Sequence, residues 1–183
     1  VLAPRRLIAS NVALKFIDLS GTPELVVGAG LRDTYVMAVG ANGQARWQYY
    51  TGGFVGDVLA AEMDGDEYKE IVVLSDALYV LDGNGKQLWW HSRGQPTLVV
   101  ASRGTRTNPG SVFAGAATVR RYAPGGSLLW ESDLPSVHTM LLANLDEDAE
   151  PEVVTGCVDN VIAALDADGS LLWQAKTRTY EVQ

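Results

Sequence analysis

Two nine-residue windows, 62–70 and 144–152, hold ten of the chain's 22 acidic residues. In the first, Glu62, Asp64, Asp66 and Glu70 stand at positions 1, 3, 5 and 9; in the second, Asn144, Asp146, Asp148 and Glu152 hold the same positions. Oxygen-bearing side chains at alternate positions of a tight loop converge on one point, and a backbone carbonyl fills in between. That is the coordination a hard cation such as calcium takes. The spacing therefore predicts two Ca2+ sites, in which the ion braces a loop rather than performing a reaction. The same residues also suit a solvated turn in which each Asp accepts a hydrogen bond from its own backbone. Both readings stand on the sequence.

Two further windows lie in phase with these and have lost the chemistry. Asp18 to Glu24 is shorter and lacks the middle carboxylates, while Ser102 to Gly110 carries Arg103 and Arg106 where carboxylates would stand. Neither is expected to bind a divalent cation. Other constellations are sparse. There is no glycine-flanked serine nucleophile, no phosphate-cradling glycine loop followed by lysine, no histidine pair at zinc spacing and no dinucleotide fingerprint. His91 and His138 fall in different repeats, and Cys157 stands alone in an apolar run, the usual setting of a small core residue. No residue is assigned as catalytic.

The elements that must position these windows are set by a repeat. ANGQARW (41–47), GNGKQLW (83–89), PGGSLLW (124–130) and ADGSLLW (167–173) each end in tryptophan. Trp47, Trp89, Trp130 and Trp173 are 42, 41 and 43 residues apart, and Gly43, Gly85, Gly126 and Gly169 precede them by four. A period in the low forties with one turn glycine and one aromatic per unit is the mark of four-stranded propeller blades. Runs such as DVLAAEM, EIVVLSD, ALYVLD and KQLWWHS in the second repeat are β-branched or aromatic-rich and bounded by turn residues. No window shows helical spacing in preference to alternation. The expectation is an all-β chain, a β-propeller of four antiparallel blades at about 11–53, 54–95, 96–136 and 137–178. Each acidic window then falls between strands one and two of its blade. The flanks are strands, which excludes an EF-hand.

The identical place of the four tryptophans assigns them to docking between neighbouring blades, each ring packed and each N–H bonded to adjacent backbone. Trp90 differs. Alternation turns it to the opposite face from Trp89, and its counterparts Gln48, Glu131 and Gln174 are polar. With Tyr49 and Tyr50 it forms either a contact surface or the cover of an edge.

RRLIAS (5–10) and the residues after Lys176 occupy the places of strands from neighbouring blades, and 1–10 and 179–183 read as partial strands that close a ring. A closed ring of four blades, a piece of a larger ring, and a half-ring completed by a second copy all fit. Exposed strand edges are avoided, which favours a homodimer or a larger ring. The chain opens on Val1, which suits processing or excision from a longer protein. A net charge of −8 argues against nucleic acid or an anionic membrane as partner, and no apolar run is long enough to span a bilayer.

The acidic loop followed by EIVV or PEVV resembles the FG-GAP or VCBS-type repeats, whose pattern is D-x-D-G-D-G-x-P-E. The later half of each repeat, as in VLDGNGKQLWW (80–90) and ALDADGSLLWQ (164–174), is similar to the tryptophan-docking repeats of pyrroloquinoline-quinone-like propellers. The resemblance covers nearly the whole chain. It implies calcium in the loops and placement outside a bacterial cytoplasm. One departure bears on the metal: the family loop has glycine at its sixth position, where Glu67 and Ala149 stand here. Such propellers serve enzymes, adhesins and assembly factors alike. The reading that follows is a non-catalytic binding or scaffold module for a protein or glycan partner. The alternatives are the propeller of a quinone-dependent dehydrogenase-like or polysaccharide lyase-like enzyme, and a scaffold whose one property is assembly.

Overall fold

The computed structural model describes residues 13–18, 23–28, 34–66, 68–92, 96–134, 136–146, 148 and 150–177. The described residues form four sheets of four strands, each sheet in sequence order. The first holds β1 (Ala13–Asp18), β2 (Pro23–Gly28), β3 (Tyr35–Gly40) and β4 (Ala45–Tyr50). The second holds β5 (Asp57–Ala61), β6 (Glu70–Leu74), β7 (Leu78–Leu81) and β8 (Gln87–His91). β9 (Leu98–Ala101), β10 (Val112–Gly115), β11 (Thr118–Tyr122) and β12 (Leu128–Asp133) make the third. β13 (Val137–Ala143), β14 (Glu152–Cys157), β15 (Val161–Leu165) and β16 (Leu171–Lys176) make the fourth. The one helical element among the described residues is a 3-10 turn, Val158–Asn160.

The hairpins follow from local chemistry. Between β14 and β15, Asp159 and Asn160 both have φ of 58°, the left-handed pair that a two-residue hairpin with right-handed strand twist requires. The sequence reading ran strand two of the second blade directly into strand three at Ala77. Instead Ser75 N donates to Ala77 O at 2.9 Å and β7 starts at Leu78, because antiparallel strands need a turn between them. The expected terminal strand fragments at 5–10 and 179–183 lie outside the described residues.

One device recurs in every sheet. The third and fourth strands join through a turn closed by Gly43, Gly85, Gly126 or Gly169, with φ of 74°, 80°, 87° and 88°. A glycine is needed there because a Cβ resists positive φ. Beside each turn the ladder shifts register, at Ala38/Val39, Val80/Leu81, Arg121/Tyr122 and Ala164/Leu165. The tryptophan of each repeat pairs with the first residue of its shift: Trp47 with Ala38, Trp89 with Val80, Trp130 with Arg121 and Trp173 with Ala164. A bulge bends its strand and re-aims the neighbouring side chain. The repeat therefore conserves an aim as well as a residue type.

The contacts divide the chain into two compact units, one of residues 1–60 with 68–91 and one of 61–67 with 92–183. In the first, Val26, Val36, Ala38, Val58, Ile71, Val73 and Leu81 form a buried core against which Trp47 and Tyr49 pack. In the second, Phe113, Val119, Val137, Met140, Val153 and Leu165 form the core, with Trp130 packed against it. The central strands carry this burial: β6, β7 and β10 are buried along their whole length. Buried on both faces, they read in sequence as continuous apolar runs rather than alternation.

Candidate functional site

The acidic window of the second blade places Glu62, Asp64 and Asp66 together, one carboxylate oxygen from each lying within 4.8 Å of the others. Two oxygens facing each other across a calcium ion at about 2.4 Å are about 4.8 Å apart, so one cation can bridge such a set. Gly65, with φ of 84°, turns the loop at position four. Its N–H donates to Glu62 Oε1 at 2.6 Å, and Asp66 N donates to Asp64 Oδ1 at 3.1 Å. The fourth residue of the expected set, Glu70, opens β6 in the first compact unit and is buried. Glu67, at the sixth position, lies outside the described residues.

In the fourth blade Asp146, Asp148 and Glu152 come together by the same measure. Asp148 N donates to Asp146 Oδ1 at 3.2 Å, and Glu150 N to Asp148 Oδ1 at 2.7 Å. Asn144 sends Nδ2 to the carbonyl of Asp148 at 2.6 Å, closing the loop on itself. Glu152 begins β14 with 0% of its surface exposed. Its Oε2 accepts a hydrogen bond from Leu145 N, while its Oε1 is buried and accepts none among the described residues. A buried carboxylate oxygen without a donor, beside two further carboxylates, is costly unless a cation compensates it. Glu62 Oε2 is likewise buried and accepts no hydrogen bond among the described residues. The residues present thus fit a hard cation at both loops, and the fit is stronger at the fourth blade, where the orphan atom belongs to a fully buried residue.

Neighbouring segments hold these loops in ways the spacing did not show. The Ser102–Gly110 loop, which reads in sequence as the loop that lost its carboxylates, lies against the acidic loop of the second blade. Gly104 N donates to Glu62 O and Gly110 N to Met63 O, both at 2.7 Å, and Met63 is fully buried. A Cβ on Gly104 would stand 2.2 Å from both Gly110 N and Met63 O, and one on Gly65 would stand 2.1 Å from Arg106 N. At the other loop Arg121 is the clamp. Its Nη2 meets Glu150 Oε2 at 2.7 Å, its Nε donates to Ser111 Oγ at 2.9 Å, and its Nη1 donates to the carbonyl of Ala167. Its Cζ lies 5.5 Å from the centre of the Phe113 ring. Arg120 meets Glu131 at 2.7 Å across the β11–β12 pair. Arg120 and Arg121 are therefore both paired with carboxylates. The signal that could have found the brace was the pair of glycines, Gly104 and Gly110, standing where the other windows keep side chains.

A separate surface lies in the first compact unit. Tyr49, Tyr79 and Trp90 form a row, with ring centres 5.8 Å apart edge-on and then 6.2 Å apart stacked. Tyr79 O–H donates to Thr51 O at 2.8 Å and to Asp76 Oδ1 at 3.1 Å. Burial, and next the Asp76 carboxylate, push the Tyr79 hydroxyl up to about 12, so it stays a donor through the physiological range. Tyr49 O–H donates to Gln87 Oε1. Trp90 lies stacked on Tyr79 and keeps 50% of its surface exposed, and Tyr50 is 71% exposed.

The repeat tryptophans dock as the sequence reading has it where both partners share a compact unit. Trp47 Nε1 donates to Gly83 O at 2.9 Å, and a Cβ on Gly85 would fall 2.5 Å from the Trp47 ring. Trp130 Nε1 donates to Ala167 O at 2.7 Å, and a Cβ on Gly169 would fall 2.7 Å from the Trp130 ring. The turn glycine thus serves twice, for its positive φ and for the flat space over its Cα.

No family model matches the chain, and no curated protein matches it. Among solved structures it is similar to BBS1N, crystallised in complex with ARL6DN and soaked with lead, with a TM-score of 0.65 at 16% identity over 85% of this chain and 50% of that one. A second structure of the same complex, soaked with mercury, gives a TM-score of 0.64 at 13% identity, covering 85% and 49%. The chain spans about half the length of these solved chains. At such identity the likeness shows the fold, and the fold is an all-β propeller of four-stranded antiparallel blades. No helix among the described residues is long and apolar enough to cross a membrane.

Proposed function

We propose that the chain is a non-catalytic β-propeller module that binds a protein partner through the aromatic surface of its first compact unit. Calcium braces its acidic loops, and a second copy completes the ring in which it works. The observation that carries the binding reading is Trp90. It stacks on a buried tyrosine and leaves half its surface in water, where its repeat counterparts are polar. Tryptophan and tyrosine held rigid from below are the side chains that dominate protein interfaces, because they bury large area at little cost in entropy. That BBS1N was crystallised with a protein, ARL6DN, supports a protein partner over a glycan.

The calcium brace rests on the buried Glu152 oxygen and the convergence of three carboxylates at each loop. Asp64, Asp66, Asp146 and Asp148 are exposed, and loops with exposed, locally bonded ligands belong to the weak class that fills where calcium is abundant, with Kd of roughly 10⁻⁴–10⁻³ M. Placement outside the cytoplasm follows from that affinity class.

The test of the binding reading is photo-crosslinking in source extract with a reactive group at the exposed Tyr50, compared between the native chain and Trp90→Ser. The expected outcome is a discrete protein adduct lost in the variant, which corresponds to at least roughly 30-fold weaker binding for an anchor of about 2 kcal/mol. An adduct unchanged in Trp90→Ser removes this surface from the reading. Binding to a glycan array that Trp90→Ser abolishes replaces the protein partner with a sugar.

A further inference from the structure

Among the described residues, the Gly43 turn and Trp173 both carry the docking pattern and both stand open. In the first compact unit, the turn after β3 has the same backbone as the occupied ones. Gly43 N donates to Gly40 O at 2.9 Å and Gly40 N to Gln44 O at 3.0 Å, as Gly85 N does to Asp82 O at 2.9 Å and Asp82 N to Lys86 O at 2.8 Å. Asn42 Oδ1 accepts from Gln44 N at 3.0 Å, just as Asp168 Oδ1 accepts from Ser170 N at 2.8 Å in the fourth blade. Gly43 shares the positive φ, 74°. A Cβ on Gly43, however, would meet nothing within 4 Å, where Gly85 and Gly169 meet indole rings. By its place in the turn, Ala41 O corresponds to Gly83 O and Ala167 O, the two acceptors of the docked tryptophans. Residues 41–44 are all exposed.

In the second compact unit, Trp173 has the tryptophan side of the device. It pairs with Ala164 at the Ala164/Leu165 register shift as Trp130 pairs with Arg121 at its own. It is nevertheless 43% exposed, and β16 is exposed along its whole length, Leu171 and Leu172 included. Among the described residues, the Trp173 indole thus lacks the turn that Trp47 and Trp130 pack on.

We infer that Trp173 of one copy docks on the Ala41–Gln44 turn of a second copy, its ring lying over Gly43 and its Nε1–H donating to Ala41 O. The occupant is a second copy because the interface continues one already established twice within the chain, Trp47 on Gly83–Gly85 and Trp130 on Ala167–Gly169. The chain carries both halves of it, one open at each. This deepens the reading that a second copy completes the ring, and rests on it. Two such contacts related by a two-fold axis close without leaving a further open turn, which separates a finite dimer from a growing filament.

The experiment is mass by light scattering on the full chain, on Trp173→Ala, on Gly43→Asn, and on the two variants mixed. Asparagine tolerates the left-handed backbone at Gly43, and its Cβ points into open space unless an indole comes to lie there. Trp173→Ala removes an exposed ring. Both variants are therefore expected to keep the native circular dichroism. The native chain is expected at twice the chain mass of 19.6 kDa, and each variant alone at the single mass. The mixture should recover the double mass in part, through the one pairing that joins an intact Trp173 to an intact Gly43. A native chain of single mass overturns both the ring reading and this inference. A native dimer that both variants leave intact keeps the ring reading and overturns this inference alone.

Discussion

The acidic loops of the second and fourth blades share a spacing and differ in what holds them. The second is gripped through its backbone, by Gly104 and Gly110 donating to Glu62 O and Met63 O over the fully buried Met63 side chain. The fourth is gripped through side chains, by Arg121 on Glu150, Asn144 on the Asp148 carbonyl, and Glu152 on Leu145 N. Backbone bonds donated by Gly104 and Gly110 to Glu62 O and Met63 O involve no group whose charge changes. Side-chain clamps around a cluster of carboxylates hold their loop while the charge is compensated, and the orphan Oε1 of Glu152 is where compensation is lacking. The same spacing is thus held in one loop by backbone bonds and in the other by side chains around a buried carboxylate, and the proposed ion matters most to the second.

The sharpest way to break the backbone side of this comparison is Gly104→Ala. The added Cβ would stand 2.2 Å from Gly110 N and Met63 O, both backbone atoms in a hydrogen-bonded pair, so neither side can yield cheaply. The expected loss is about 3 kcal/mol or more, a drop in Tm of roughly 6–12 °C for a domain of this size. Gly125→Ala is the matched control, since its Cβ meets nothing within 4 Å, and should stay within about 0.5 kcal/mol. If the two variants melt together, the Ser102–Gly110 loop does not brace the acidic loop.

The side-chain loop is tested by its charge. Calcium at a hundredfold excess over Kd should stabilise the native chain by about 2.7 kcal/mol, read as a rise in Tm that a chelator reverses. Glu152→Gln keeps the shape and the acceptor for Leu145 N, removes the buried charge and adds a donor facing the Asp146 and Asp148 carboxylates. With chelator present the variant should melt about 1 kcal/mol above the native chain, and with calcium it should lose most of the gain. A native chain whose Tm ignores both calcium and chelator shows that Glu152 is compensated in some other way, and ends the calcium reading of this loop.

Much of this was legible in the sequence, and the boundary is physical. The tryptophan and glycine period specifies turn and bulge because both are local to one hairpin, and docking because the period repeats the same turn in the next blade. The clusters 62–64–66 and 146–148–152 were legible because alternate residues of a tight loop converge whatever lies around them. The braces were not. Gly104 and Gly110 reach Glu62 and Met63, and Arg121 reaches Glu150 and Ala167, in the neighbouring blade, and the Ser102–Gly110 window reads as a loop that had lost a function. The turn of the second blade's acidic loop at Gly65 matches the glycine at position four of the family pattern.

The finest test sets Asp64→Asn against Asp146→Asn. Each aspartate accepts a hydrogen bond from the backbone two residues on, Asp66 N at 3.1 Å and Asp148 N at 3.2 Å. The asparagine Oδ1 accepts the same bond, so without calcium both variants should lie within about 0.5 kcal/mol of the native chain. With calcium they should part: Asp146→Asn loses binding at the loop that depends on the ion, and its Tm gain shrinks, while Asp64→Asn keeps most of the gain because the second blade's loop is already held by Gly104 and Gly110. Equal losses from the two variants would mean that the backbone brace and the ion add rather than substitute, and the two loops would then differ in how they are built without differing in what they need.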